Sequence, residues 1–228
     1  PQTAAALVTA LLTGSAASAG GPPILLNMGA LPDSTYSQGF AVTPDGITVV
    51  GYGDTGGVVR ALRWTMAGGL EPLPALPGRP FGQAYGVSAD GSVIVGIGYA
   101  DSVNPNTVAC VWAAGGVAEV GAGSGESAKY AFAVSQDGGA ICGERDNRAY
   151  LWTDAGGFEL IPTPPGLISD GPIDISGDAS FLVGTAIKPG SYATAYRWSQ
   201  GAGFEALGGL TIGGNSSATA ISADGSAI

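Results

Sequence analysis

A short segment built around an aspartate recurs five times in this chain of 228 residues. The copies read FAVTPDGITVVG, YGVSADGSVIVG, FAVSQDGGAICG, DISGDASFLVG and AISADGSAI. Their aspartates are 45, 47, 41 and 46 residues apart, at Asp45, Asp90, Asp137, Asp178 and Asp224. A period of this length is typical of a repeat architecture, in which neighbouring units stabilise one another.

Each unit contains one connection of fixed length and one of variable length. The aspartate precedes a closing glycine by six residues in all four complete copies, at Gly51, Gly96, Gly143 and Gly184. A second segment, RALRW, VACVW, RAYLW or TAYRW, ends 19, 22, 15 or 20 residues after the aspartate and is followed by a Gly-rich step. Asp-Gly between two β-rich runs predicts a tight hairpin. Each unit should therefore form four short strands.

Four antiparallel strands per unit of about 45 residues are typical of a β-propeller blade. We therefore predict an all-β fold, a β-propeller of four-stranded blades in residues 20–228. The repeat domain should hold four full units plus partial first and last units, in a ring that is incomplete or open. WD40 repeats are disfavoured because Gly-His and Trp-Asp pairs do not occur, whereas a kelch-type propeller remains an alternative.

The recurrent aspartates and tryptophans have structural explanations. An Asp before Gly caps its own turn, and no copy has the acidic density of a calcium loop. One tryptophan per unit is expected to pack between blades rather than to stack on a ligand; these are Trp64, Trp112, Trp152 and Trp198. We therefore assign no catalytic, cofactor-binding or metal-binding residue and predict no cofactor.

The composition removes several classes of function. The chain has no histidine, which excludes triads and metal sites that depend on imidazole. Its two cysteines cannot form a structural zinc site. Eight Lys and Arg residues oppose 18 Asp and Glu residues, giving a net charge of −10. Because nucleic-acid binding needs clustered cationic side chains, no nucleic-acid partner is predicted.

The N-terminal segment is interpreted as a truncated signal peptide over residues 1–19. Residues 4–19 read AAALVTALLTGSAASA, and their last three follow the small-x-small pattern that signal peptidase accepts. The stretch is short for a bilayer span, so no membrane insertion of this segment is predicted. The alternative is a buried Ala-rich helix. A signal peptide implies a protein that is secreted or displayed at the cell surface.

The two cysteines lie in neighbouring units. Cys110 stands two residues before Trp112, and Cys142 occupies a position where other units carry valine. After export they could form a disulfide across adjacent blades, provided that their Cα atoms come within about 7 Å. The alternative is two buried free thiols that pack as small apolar residues.

The units resemble the HAF-type extracellular repeats of bacterial surface and secreted proteins. The resemblance rests on SADGSVIVG with VACVW and on PDGITVVG with RALRW, and it extends from Gly39 to the end of the chain. The His-Ala-Phe that names the family is absent: Arg, Val or Thr precedes the Ala, and Leu, Cys or Tyr follows it. The resemblance implies an exported repeat protein and supplies no biochemical role.

Function is expected on the variable loops. In an antiparallel meander the tight Asp-Gly and Gly-Gly turns share one end of each blade, and the variable connections share the other end. Binding residues concentrate on such loops. The first candidates for mutation are their polar and aromatic side chains: Tyr36, Arg79, Asp101, Asn104, Asn106, Glu126, Tyr130, Asp146 and Tyr192.

Three functions remain open. The leading hypothesis is a noncatalytic propeller for adhesion or binding, with an extracellular carbohydrate, matrix or protein ligand. The rival is a carbohydrate-active hydrolase or lyase, because paired carboxylates are an acid-base system that works without histidine. Its local candidates are Glu144 with Asp146, or Asp170 with Asp174. The third possibility is a passive stalk or passenger domain.

Overall fold

The computed structural model describes residues 27–101, 106–209 and 214–228, so the predicted signal peptide lies outside the described residues. Sixteen strands form four separate four-stranded antiparallel sheets in this part of the chain. Within each sheet the strands follow one another in chain order. No helix among the described residues is long and apolar enough to cross a membrane.

The sheets correspond to the four complete sequence units. The first contains β1 (Ser37–Val42), β2 (Thr48–Thr55), β3 (Val58–Thr65) and β4 (Gly69–Pro72). The second contains β5 (Phe81–Val87), β6 (Ile94–Tyr99), β7 (Val108–Ala113) and β8 (Gly116–Glu119). The third contains β9 (Tyr130–Val134), β10 (Ala140–Arg145), β11 (Arg148–Thr153) and β12 (Gly157–Leu160). The fourth contains β13 (Ile168–Ile175), β14 (Leu182–Ile187), β15 (Ala193–Ser199) and β16 (Gly203–Gly208).

Successive sheets pack face to face as the blades of a β-propeller, which confirms the predicted fold class. The first strand of each blade contacts the first strand of the next, and it also packs on the preceding sheet. These inner strands line a central channel. Residues 214–228 supply the start of a fifth unit, without a regular strand but with the same Asp turn.

The core lies between blades. Trp112 is 5% exposed and packs in the interface of the first two blades, and Trp198 is 4% exposed between the third and fourth. Trp152 packs between the second and third blades. Burial of such large rings between sheets contributes a large share of the hydrophobic stabilisation. For these three tryptophans the predicted packing role is confirmed, whereas Trp64 is half-buried on the face of the first blade that points away from the second.

The recurrent aspartates cap their turns in all five units. In the second unit, one carboxylate oxygen of Asp90 accepts hydrogen bonds from the Ser88 hydroxyl at 2.7 Å and from the Ser92 N–H at 2.9 Å. The Ser88 oxygen in turn accepts the Val93 N–H at 3.0 Å. The glycine after the aspartate has positive φ, and Ala179 adopts the same conformation in the fourth unit with a φ of 60°. The predicted capping role is confirmed.

The cysteines are free and buried. Cys110 points into the interface of the first and second blades, whereas Cys142 points into the interface of the third and fourth. The two side chains therefore face away from each other. Of the two alternatives, a disulfide across adjacent blades or two buried free thiols, the structure shows the free thiols. Burial raises the pKa of Cys110 to about 12 and that of Cys142 further, which keeps both thiols protonated.

Candidate functional site: the channel wall

Every inner strand contains a β-bulge at the same place in the repeat. In the first blade Gly39 pairs with Gly51 and Ala41 pairs with Val50, so Phe40 is the extra residue. The same interruption occurs in the other three blades, and the bulged residues are Phe40, Tyr85, Phe132 and Ile173. A bulge redirects the side chain of its extra residue. Each bulged residue stands five positions before the turn aspartate and lines the channel.

The closing glycine of the sequence pattern lies opposite each bulge. A Cβ atom on Gly51 would stand 1.9 Å from the Gln38 carbonyl oxygen, and one on Gly96 would stand 2.0 Å from that of Gln83. The fourth blade is slightly more open, with 2.5 Å between a Cβ on Gly184 and the Gly171 oxygen. The bulge brings the inner backbone so close that no side chain fits there. This contact explains the fixed six-residue spacing.

Bulged and neighbouring aromatic rings form a continuous row across three blades. The Phe40 and Tyr85 ring centroids are 5.3 Å apart, and those of Tyr85 and Phe132 are 5.9 Å apart. Further rings extend the row at 5.4 to 5.8 Å. We call this row the aromatic wall; its members are Tyr36, Tyr52, Phe40, Tyr85, Phe132 and Tyr130. Such distances are normal for interacting aromatic pairs.

The wall borders a cavity of about 690 Å³ enclosed by the inner segments of all five units. Its aromatic side ends at the fourth unit, where Ile173 takes the bulge position, and Thr219 follows in the fifth unit. Phe40 is 47% exposed and Ile173 is 37% exposed, so these side chains are not part of the core. An exposed apolar surface of this kind indicates a binding region.

Amide side chains stand beside the aromatic rings. The Tyr52 hydroxyl donates to Gln38 Oε1 at 3.1 Å, and the Tyr85 hydroxyl donates to Gln83 Oε1 at 2.6 Å. Both glutamines stand seven positions before the turn aspartate, two before the bulge. Burial raises the pKa of Tyr85, and the neighbouring tyrosines add to the effect. The Tyr85 phenol therefore stays a neutral hydrogen-bonding group at physiological pH.

Asp174 is a carboxylate in the channel that has no counterpart in the first three units. Asp174 occupies a position where the first three units have Ala41, Gly86 and Ala133. Its Oδ1 accepts the Ile175 N–H and its Oδ2 accepts the Ile221 N–H, both at 2.9 Å. Burial raises its pKa, and these two hydrogen bonds oppose the shift. Asp174 thus links the inner strand of the fourth blade to the fifth unit.

Glu144 and Asp146, the first of the proposed acid-base pairs, have different surroundings. Asp146 is exposed and lies 3.7 Å from the Arg145 guanidinium, and Glu144 stands on β10 opposite Tyr130. The side chain of Asp170 lies outside the described residues. In the described ranges no three acidic or cysteine side chains are arranged to hold a metal ion.

The loop residues that the sequence indicated as candidates have different surroundings in the structure. Tyr36 and Tyr130 belong to the aromatic wall. Glu126 accepts a hydrogen bond from Arg145 at 2.7 Å, and Arg79 donates to the Asn106 carbonyl, so these side chains hold loops in place. The others are scattered around the rim: Asp101, Asp146 and Tyr192. Asn104 lies outside the described residues.

Sequence reasoning missed two features of this site. The first is the wall, although the aromatic residues recur five positions before Asp in FAVTPDG, YGVSADG and FAVSQDG. The second is Asp54, which accepts the Thr35 N–H at 2.7 Å and the Tyr36 N–H at 3.0 Å. Burial alone would raise the pKa of Asp54, yet these hydrogen bonds hold it below its usual range. Asp54 fixes the segment that contains Tyr36. Nothing in the sequence indicated this role, because it is not part of the repeated pattern.

Comparisons with known proteins identify the fold. No family model matches the chain, and no curated protein matches it. A structure assigned as TolB from Agrobacterium tumefaciens is 17% identical, with a TM-score of 0.57 over 84% of this chain and 71% of that one. TolB from Acinetobacter baumannii is 14% identical, with a TM-score of 0.55 over 86% of this chain and 48% of that one. Porphyromonas gingivalis dipeptidyl peptidase 4 is 13% identical, with a TM-score of 0.50 over 81% of this chain and 34% of that one.

The chain therefore spans about half the length of the Acinetobacter protein and a third of the peptidase. At such low identity the likeness concerns the fold alone. It agrees with the four-bladed arrangement of sheets around the channel, and the chain is a β-propeller.

Proposed function

We propose that this chain is an exported, noncatalytic β-propeller of the HAF-repeat type that binds an extracellular ligand on its aromatic wall. The observation that carries the proposal is the series of three bulges that turn Phe40, Tyr85 and Phe132 into the channel. Packing alone would bury these rings, yet Phe40 is 47% exposed and Tyr85 and Phe132 are half-buried. Rigid strands hold the rings in place, as a binding surface requires.

Two further observations support export. The sequence before residue 20 has the apolar stretch and the Ala-Ser-Ala ending of a signal peptide. The Asp-Gly-x-x-Val/Ile-Val-Gly hairpins supply the resemblance to HAF-type repeats.

Catalysis by carboxylates has less support. A hydrolase or lyase needs two carboxyl groups that face one substrate. In the described part of the channel, Asp174 lines the cavity but gives both oxygens to backbone N–H groups. Asp174 is a structural acceptor, and the described residues that line the cavity include no second carboxyl group to pair with it.

The proposal is tested by a binding panel with the purified chain. The probes are laminarin, cello-oligosaccharides, heparin, collagen and fibronectin, and the reducing ends of the carbohydrates are measured in parallel. We expect saturable binding of at least one probe without new reducing ends. Binding should be lost in the triple variant Phe40→Ala, Tyr85→Ala, Phe132→Ala. Release of reducing ends, or wild-type binding by this variant, would contradict the proposal.

A matched control removes exposed apolar side chains elsewhere. Ile47 is 47% exposed and Met66 is 59% exposed, both at the tight-turn end of the first blade. The double variant Ile47→Ala, Met66→Ala should bind as the unmodified chain does. Its urea midpoint, measured beside that of the triple variant, separates loss of binding from loss of folding.

A further inference from the structure

We infer that the aromatic wall is a subsite for a neutral, twisted glucan and that it accommodates about three sugar rings. The inference rests on the proposed function, because it names the ligand class of the same surface. It follows from the chemistry of the lining, the placement of the rings and the point at which the row ends.

The lining favours a ligand without charge. Among the described residues that enclose the cavity, the charged side chain is Asp174, and backbone N–H groups already engage both of its oxygens. The chain as a whole has a net charge of −10, which repels polyanions such as heparin. A cationic ligand would need carboxylates with oxygens turned toward it. The remaining lining is aromatic, aliphatic or hydroxyl-bearing.

A sugar ring has the complementary chemistry. Its C–H faces are apolar and pack on aromatic rings, while its hydroxyl groups require hydrogen-bond partners at the edge. Gln38 and Gln83 supply such partners beside the wall, because each amide carries two N–H donors besides the oxygen that a tyrosine uses. Aromatic rings with amides beside them are suited to a saccharide better than to a purely apolar chain.

The ring geometry selects the shape of the glucan. The three bulged rings are spaced at 5.3 and 5.9 Å, close to the length of one pyranose residue. Their planes differ by 77° between Phe40 and Tyr85 and by 36° between Tyr85 and Phe132. A flat ribbon such as a β-1,4-glucan presents parallel faces, so it matches rings rotated in this way less well. A β-1,3-glucan twists along its length and can present successive faces to them.

The end of the row sets the number of sugars. Ile173 replaces the aromatic residue in the fourth unit and Thr219 in the fifth. Neither offers a ring face for stacking. Affinity should therefore rise from one to three glucose residues and then level off.

The test is calorimetric titration of the full chain with β-1,3-linked glucose oligomers of one to five residues, and with β-1,4-linked oligomers of the same lengths. We expect the β-1,3 series to bind more tightly and to level off at the trimer. Tyr85→Ala should weaken binding about ten-fold or more, as for a central aromatic in an interface. Tyr85→Phe retains the ring and should stay within about three-fold of the unmodified chain. Met66→Ala should change nothing.

Other results separate this inference from the proposed function. Wall-dependent binding of collagen or fibronectin without glucan binding would overturn the inference and leave the proposed function standing. Equal affinity for both glucan series, or an affinity that continues to rise beyond the trimer, would also overturn it. If no probe binds in a manner that depends on the wall, both proposals fail.

Discussion

The turn aspartate and the bulged residue of the repeat lie five positions apart, yet the residue type is constant at the turn and variable at the bulge. All five turns keep the aspartate and the Ser or Thr two residues before it, with the same hydrogen bonds. The bulge position changes from Phe to Tyr, Phe, Ile and Thr along the chain. The backbone is the same at each complete bulge, but the side chain is free to differ because it points into the channel.

This difference separates scaffold from surface. A turn aspartate accepts hydrogen bonds from its own turn, so another side chain would leave N–H groups without their acceptor. A bulged side chain meets solvent and neighbouring rings, and its identity changes the wall rather than the fold. The closing glycine belongs to the scaffold, because it makes room for the bulge.

The largest effect is expected from Gly96→Ala. The new Cβ would stand 2.0 Å from the Gln83 carbonyl oxygen, so the inner strand of the second blade must move. We expect a loss of about 3 kcal/mol or more in the free energy of unfolding, measured in urea. Gly115→Ala is the control, since nothing lies within 4 Å of its Cβ, and it should stay within about 0.5 kcal/mol. Equal stability of the two variants would refute the explanation of the fixed spacing.

A smaller and more local effect is expected from Asp174→Ala. The substitution removes the acceptor of the Ile175 and Ile221 N–H groups, and since both hydrogen bonds are partly buried we expect a cost of about 2 kcal/mol. Hydrogen exchange of the Ile221 amide should become faster, because the fifth unit loses its link to β13. Asp154→Ala, in an exposed turn, should leave that exchange rate unchanged. Unchanged exchange in Asp174→Ala would show that this carboxylate does not hold the fifth unit.

Acid should weaken the turns in every unit. Hydrogen bonds hold the pKa of Asp90, Asp178 and Asp224 at about 2, against an ordinary value of 3.8. Because the unfolded chain binds protons more readily in this range, the contribution of these turns to stability is constant above about pH 5 and falls as the pH drops from about 4 to 2. The urea midpoint, followed over this range, should show that decrease.

Asn in place of the turn aspartate keeps an acceptor and removes the titration. Asp90→Asn and Asp178→Asn should therefore reduce the acid slope by similar amounts, if the turns are equivalent. Gly115→Ala, which removes no titratable group and has open space around its Cβ, is the control and should retain the full slope. Unequal contributions from the two turns would contradict the claim that the turns are equivalent while the bulges differ.

The smallest effect on stability is expected from Phe40→Thr, which places in the first unit the residue that the fifth unit carries. Phe40 is 47% exposed, so the change should cost less than about 1 kcal/mol. Val50→Thr, at a neighbouring position that is 1% exposed, buries a hydroxyl and should cost about 1 to 3 kcal/mol. If both variants lose the same stability in urea, the wall is part of the core.

The scaffold could be predicted from the sequence because its signals are periodic. The Asp-Gly turns, the Trp strands and the six-residue spacing each recur, and together they predicted four-stranded blades. The bulge could not be predicted in this way, because an apolar run such as FAV has the appearance of an uninterrupted strand. The pairing that skips Phe40 becomes visible only when β1 is aligned with β2.

Features that occur once were harder to predict. Cys110 and Cys142 lie in adjacent units, but alternate residues of a strand face opposite sides of the sheet, and the two thiols point into different interfaces. The role of Asp174 depends on an N–H group 47 residues away. Asp54 likewise binds a segment on another part of the chain. Single-sequence patterns contain no signal for such contacts.

The most direct test is to map the bound ligand by NMR. The chain is labelled with ¹⁵N and titrated with a β-1,3-linked glucose trimer while the backbone amide signals are followed. We expect shift changes around Phe40, Tyr85 and Phe132, on three different blades. Changes confined to the rim loops around Asp101, Glu126 and Asp146, with the three bulges unaffected, would contradict this expectation.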